Sequence, residues 1–231
     1  MVVWNALLTL HSFYYLFTFS MVLSPFLSSG LCTIFDGSTQ CRERIIGDAG
    51  SFQTFVCIVR DMADVDLTFH TLGEDAEIVC NVLIVGSSWS APRCIVTGIL
   101  EGVRSRITLR LMTLVCADAH PTVHGGITIV PGAFHVSGHL MEDNVLLHDR
   151  VKLSVLPKLD VHTHDVSASH GAKIHRLDPA KLFYLHAKGL SPYAAKKIML
   201  TGHITDILSP LNNDSFIANT CAGVLSELLV S

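Results

Sequence analysis

The 231-residue chain reads as a mainly β protein, a β solenoid followed by a small helical region. Three observations carry that reading. Short runs rich in Val, Ile, Thr and Leu, divided by small polar breaks, fill residues 36–164, with no helical pattern among them. Branched side chains suit the pleat, and Gly, Pro, Asp and Ser mark the turns. Tight hairpins are scarce, since Asp36-Gly37 is the lone Asp-Gly pair and Asn-Gly does not occur, which argues against a sandwich or closed barrel. Small residues recur at the breaks, as in Gly47-Asp48-Ala49, Gly73-Glu74-Asp75-Ala76 and Gly132-Ala133. Stacked parallel coils need such corners, because each packs under the next. The spacing is irregular, and the strict six-residue period of a left-handed hexapeptide helix is absent.

The elements follow in order. Residues 1–35 contain no Lys, Arg, Asp or Glu up to Phe35, and "MVVWNALLTLHSFYYLFTFSMVL" is long enough for a bilayer crossing of about 20 residues. It lacks the basic start of a signal peptide and the flanking positive charges of a span, and Asn5, His11, Ser12, Thr18 and Ser20 dilute it. A buried or partner-covered strand, or a misassigned start, is favoured over an anchor. Next come "FQTFVCIV", "EIVCNVLIV", "CIVTGIL", "ITLRLMTLVCA", "GITIVPGAFHV" and "NVLLHDRVKLSVL", read as strands, then the alternating "VKLSVLPKLDVHTH". The solenoid is expected over residues 36–176 and a helical domain over residues 177–231. In that domain Asp178 caps a first helix, Pro179 takes its first turn and Gly189 ends it. Ser191 and Pro192 repeat the start signal for a second helix, whose apolar face is expected from Ile198, Ile204, Ile207 and Leu208. A short third helix is expected beyond Pro210.

Composition excludes several functions. Only 16% of residues are charged, which points to a large apolar interior or surface covered by a partner. The net charge of −4, without Lys/Arg runs, argues against nucleic acid. The seven cysteines are scattered, odd in number and free of any C-x-x-C pair, and most lie in apolar runs where cysteine acts as a small hydrophobe. A reducing cytoplasm suits them. Neither a G-x-x-x-x-G-K-[ST] loop nor a G-x-S-x-G elbow is present.

The stretch "PKLDVHTHDVSASHGAKIHRLDPAKLFYLHAKGLSPYAAKKIMLTG" resembles the end of the SufB/SufD family, scaffold proteins of SUF iron–sulfur cluster assembly. The likeness rests on Pro157, Leu159, Val161, Asp165-Val166, Ser169-His170-Gly171-Ala172, Leu182-Phe183-Tyr184-Leu185, Lys188-Gly189-Leu190-Ser191 and Ala195. It is specific over residues 125–208, weak over residues 44–124 and absent from the first thirty-five. Lys188 stands where the family usually has Arg, and nothing matches the family's N-terminal helical region.

The resemblance implies a right-handed parallel β-helix core followed by a C-terminal helical domain that docks an ABC-type ATPase (SufC-like). It implies a scaffold without catalytic turnover, paired with a SufB-like subunit or with itself, in the cytoplasm. Any iron–sulfur cluster would be transient and shared with the partner, none being bound by this chain alone. SufB-like members carry a cysteine and a glutamate at positions held here by Val161 and Gly171, so the likeness is to the SufD-like branch. His170 is then the residue expected at the shared site, since imidazole can replace thiolate on iron. Leu182, Phe183, Tyr184, Leu185, Gly189, Leu190, Ser191 and Ala195 are the residues expected to meet the ATPase.

Other histidines have plainer readings. His162 and His164 are expected on one strand face, solvated. His135, His139 and His148 support a rival reading, a β-helix metallohydrolase or lyase, which would leave the helical hairpin without a use. A degenerate paralogue that keeps only the fold is a further alternative.

Overall fold

The apolar runs do form strands, and the strands form coils. A computed structural model describes residues 32–229; the question of an N-terminal strand or anchor falls on residues 1–31, outside them. One sheet holds β1 (Cys32–Phe35), β3 (Phe52–Arg60), β5 (Glu77–Gly86), β7 (Arg106–Val115), β9 (Ser137–Leu146) and β12 (Ser167–Arg176), in that order. The other holds β2 (Gln40–Gly47), β4 (Asp64–Thr71), β6 (Arg93–Leu100) and β8 (Thr122–Ile129), then the short β10 (Ser154–Val155) and β11 (Lys158–Val161), both paired with β8. Every strand pairing among them is parallel. Strands β1 to β9 alternate between the sheets, β10 and β11 share the second, and β12 returns to the first, so the chain winds as a parallel β-helix. Its first strand starts at Cys32, four residues ahead of the expected boundary.

Several strands were not expected, among them β2 and β4, and β1 and β12 lie outside every predicted run. In β4 the sequence "DVDLTFHT" buries Val65, Leu67 and Phe69 while Asp66 and Thr68 stay half-buried, an alternation hidden by its polar residues. In β2 the arginines and Glu43 hide the same pattern. The run "GITIVPGAFHV" is not one strand, because β8 ends at Ile129 and a corner intervenes before β9, and "NVLLHDRVKLSVL" is not one either, because β9 ends at Leu146 and the chain turns before the two-residue β10.

The corners work by close approach. A Cβ on Gly102 would lie 1.9 Å from the carbonyl oxygen of Gly73, and one on Gly73 would lie 2.1 Å from the amide nitrogen of Ala49. Only glycine fits between coils there. Beside them runs a stack of left-handed residues, one per coil: Gly50, Asp75, Arg104, His135 and Asp165. Their amides donate across coils, Asp75 to Val103, Arg104 to Phe134 and His135 to Asp165. Arg104 also forks onto Asp75, with both contacts at 2.8 Å. Aspartate tolerates this backbone region better than most residues.

Two apolar clusters result. The first fills the space between the sheets with residues such as Phe55, Phe69, Ile84, Leu109 and Ile127. The second lies outside the first sheet, where Val56, Leu83, Leu114 and Val145 meet α2 (Pro192–Leu208) and α3 (Asp214–Leu229). Helix α1 (Pro179–Ala187) has no fully buried residue. The helical segment therefore roofs one face of the solenoid. Polar ties hold it there: Asn81 donates to the carbonyl of Ile207 at 2.9 Å, and Arg60 pairs with Glu227 at 2.7 Å.

The helix caps match expectation. Asp178 accepts from the Ala180 amide, Ser191 accepts from the Ala194 amide, and Gly189 takes φ +90 beyond α1. The apolar face of α2 needs correction. Ile198 is exposed, whereas Ala195 and Leu200 join Ile204, Ile207 and Leu208 in the core. No helix among the described residues is long and apolar enough to cross a membrane.

Candidate partner-facing site at the end of the solenoid

His170 lies in the middle of β12, six residues before the strand ends, rather than at the change from strand to helix. Register decides which way it faces. Phe55, Cys80, Leu109, Leu140 and His170 are successive partners up the first sheet. All but the last are buried members of the core between the sheets. His170 thus occupies an interior position of the stack, yet it is exposed because the described residues place no further coil above it.

Among the described residues strand β12 pairs only with β9, which leaves one edge of this ten-residue strand open. Its inner face continues through Ala172 to Ile174, 55% exposed, opposite Glu142 and Asn144. Val161, 42% exposed, continues the inner face of the second sheet above Ile129. Gly171 faces outward over Met141, itself 54% exposed. An open edge beside exposed apolar side chains is a template for another chain. Within this coil, Val161 and Gly171 offer no ligand, and His170 does.

The other histidines are occupied separately. His162 and His164 lie beyond the end of β11 in a bend, not on one strand face as expected, because the chain turns at residues 163–165. Both are exposed. His135 pairs with Asp165 at 2.8 Å as part of the corner stack. His139 bonds to the hydroxyls of Ser137 and Ser169 at 3.0 and 2.7 Å, and His148 accepts from the Arg150 amide. Among the described residues no three His, Cys, Asp or Glu side chains come together as a metal site.

None of the seven cysteines forms a disulfide. Burial pushes the Cys32 and Cys41 thiols up to about 12, and raises Cys80 and Cys94 as well. Such thiols are poor nucleophiles and poor ligands at neutral pH.

The hairpin residues divide by exposure. Phe183 and Tyr184 are 75% and 60% exposed. Leu182, by contrast, packs on the helical cluster, Gly189 supplies the left-handed turn, Ser191 spends its hydroxyl on a cap, and Ala195 is fully buried. Leu185 and Leu190 are half-buried, and the Leu190 amide donates to the Leu185 carbonyl. Of the eight, only Phe183 and Tyr184 present large free apolar surface.

Two polar groupings had escaped the sequence reading. Asp143 accepts from His175 at 2.7 Å, with His203 of α2 beside them. Glu142 lies fully buried inside the last coils. The alternation Gly138, Leu140, Glu142, Asn144 was the available signal for it.

Comparison with known proteins agrees with this architecture. The family model for the SUF system FeS cluster assembly SufBD core domain matches residues 44–203. The chain belongs to the SufBD family. Its match begins at Arg44 and so includes the coils where the sequence resemblance was weak. The iron–sulfur cluster assembly protein SufD of Escherichia coli is 24% identical over 116 residues, covering 50% of this chain and 27% of that protein. A SufBD-family protein of Mycobacterium leprae is 26% identical over 115 residues, 49% of this chain and 29% of the other. SufD of Bacillus subtilis is 26% identical over 98 residues, 42% and 22%. Two of these relatives, those of Escherichia coli and Bacillus subtilis, are named SufD. The chain spans between about a fifth and a third of the length of these relatives.

Proposed function

We propose that this chain is a scaffold subunit of SUF iron–sulfur cluster assembly. Its last coil joins a second scaffold subunit, SufB-like or a second copy of itself, and its helical hairpin receives an ABC-type ATPase of the SufC kind. The observation that carries the reading is His170, an imidazole at an interior position of a ten-residue strand with one edge open among the described residues. A partner strand laid along β12 would pair with that edge and close the interior over that side chain.

Enclosed there, His170 would be one ligand of a transient cluster, which is cargo rather than a resident group. Thiolate and carboxylate would come from the partner, since Val161 and Gly171 supply neither. On the hairpin, Phe183 and Tyr184 give the ATPase an exposed aromatic contact beside α2. Nucleotide-driven dimerisation of that ATPase would then pull on helices that roof the first sheet, and so reach the scaffold interface. A scaffold of this kind needs no turnover of its own, and seven cysteines without a disulfide suit a reducing cytoplasm.

The test is reconstitution with a SufB-like partner and the ATPase. His170→Ala is expected to lower cluster assembly without loss of folding or pairing, and Phe183→Ala with Tyr184→Ala to abolish ATPase co-purification. Point substitutions are needed because deleting the helices would bare Leu83 and Leu114. A stoichiometric cluster on this chain alone, removed by substituting one of its own cysteines, would overturn the proposal.

A further inference from the structure

The interior of the solenoid is mostly apolar; a middle-coil pair, Thr71 and Ser105, satisfies itself at 2.9 Å, and the remaining inner polar side chains lie near the last coils. There Thr113, Glu142 and Asn144 are buried at 0% exposure. Both carboxylate oxygens of Glu142, the hydroxyl of Thr113 and the side-chain carbonyl of Asn144 have no hydrogen-bond partner. Buried polar atoms are almost always paired, and an unpaired cluster calls for a water, ion or proton that the protein atoms do not supply.

The three residues hold neighbouring inner positions of β7 and β9. Thr113 and Asn144 are direct partners across β7 and β9, and Glu142 is two residues before Asn144 on the same inner face, roughly 7 Å along the strand. The Asn144 amide nitrogen donates to the carbonyl of Lys173 at 3.2 Å, which fixes the amide and leaves its oxygen free. Across the interior, Gly125 of β8 makes the room, because a Cβ there would lie 2.5 Å from Oε1 of Glu142. Burial pushes the Glu142 carboxyl up to about 7; the Gly125 amide leans toward the carboxylate and opposes that shift only in part, falling short of the geometry that would pair it, and no cationic side chain compensates its charge.

We propose that Glu142, Asn144 and Thr113 form an interior site for a hard divalent cation of the Ca²⁺ or Mg²⁺ class. The chemistry of the donors selects it. Two carboxylate oxygens, one amide oxygen and one hydroxyl are hard ligands, with water completing the shell, and none of the three offers nitrogen or sulfur to a softer metal. The ion would neutralise the carboxylate and tie β7 to β9, one coil beneath the open edge. This site lies outside everything invoked in the scaffold reading and stands independently of it.

The test is thermal unfolding of the full chain at pH 8, stripped with chelator and then titrated with CaCl₂ or MgCl₂ at constant ionic strength. At a hundredfold excess over Kd the wild type is expected to gain roughly 5–10 °C for one of the two ions. Glu142→Gln, which imitates the protonated acid, is expected to gain less than about 1 °C at the same excess. Asn144→Asp adds a second carboxylate, so it should be less stable than wild type in chelator and gain more on adding the ion. No response in the wild type, or an equal response in Glu142→Gln, would show that the carboxyl is merely protonated and overturn the site.

Discussion

The middle coils and the last coil share one backbone plan and differ in what they enclose. At one level of the first sheet the inner stack runs Cys57, Val82, Leu111, Glu142, Ala172, and at the next it runs Val59, Ile84, Thr113, Asn144, Ile174. Early members are apolar and sealed; later ones become polar, then small or exposed. A coil with neighbours on both sides is held by burial. Among the described residues the last coil has a neighbour on one side only, so its inner side chains are left uncovered. The contrast teaches that burial holds the middle of this fold and leaves its end open.

Corner glycines give the sharpest way to break that contrast. Gly102→Ala would push a methyl group against the Gly73 carbonyl 1.9 Å away, where backbone rather than a flexible side chain must yield. A loss of at least about 3 kcal/mol is expected by chemical denaturation. Gly171→Ala in the last coil would meet only the tip of Met141 at 3.6 Å, and should stay within about 0.5 kcal/mol. Equal costs would mean that the last coil is packed as tightly as the middle, against the division drawn above.

The next effect concerns the polar interior. With its pKa raised to about 7, Glu142 is protonated in the fold at pH values where the unfolded chain, at its ordinary value of 4.5, is already ionised. The unfolded state then holds fewer protons, so stability falls as pH rises from about 4.5 to 7 and stays low above. In chelator, Glu142→Gln is expected to be more stable than wild type by up to about 3 kcal/mol at pH 8, with little difference at pH 4.5. A pH-independent difference between the two proteins would refute the linkage.

How much of this was legible in the sequence follows from the same physics. The β-helix could be read because its corners need small residues, and the hairpin because Asp178, Pro179, Gly189, Ser191 and Pro192 punctuate it. Strand β4 was hidden by charges on its solvent side, β2 by charges on both sides, and the bend at His162 and His164 by residues that alternate like a strand. Ala195 and Ile198 exchanged places because a helix against a flat sheet buries what the sheet touches, which local periodicity does not reveal. His170 was found through its motif; its place in the interior stack needed the register. Glu142 was missed because a lone carboxylate in a strand ordinarily faces water.

The smallest expected effect lies at the seam between the last coils and the helical roof. His203 of α2 meets Asp143 of β9 and His175 and Lys173 of β12, with Lys181 of α1 also near. Burial lowers its pKa, and Asp143 opposes that without reversing it. A histidine depressed in the fold binds fewer protons than in the unfolded chain, so its cost appears as pH falls below the ordinary value of 6.5 and is absent above. That slope is opposite in sign to the slope from Glu142. The wild type in chelator should therefore show a flattened stability profile near neutrality, and the two variants should tilt it in opposite directions. Glu142→Gln removes the fall toward alkaline pH, whereas His203→Gln removes the fall toward acid. Denaturation midpoints at pH 5.5 and 7.5 for wild type and His203→Gln measure the second tilt. If His203→Gln keeps the wild-type difference between those two pH values, then the imidazole titrates as freely in the fold as in the unfolded chain, and the seam between roof and solenoid is open to water.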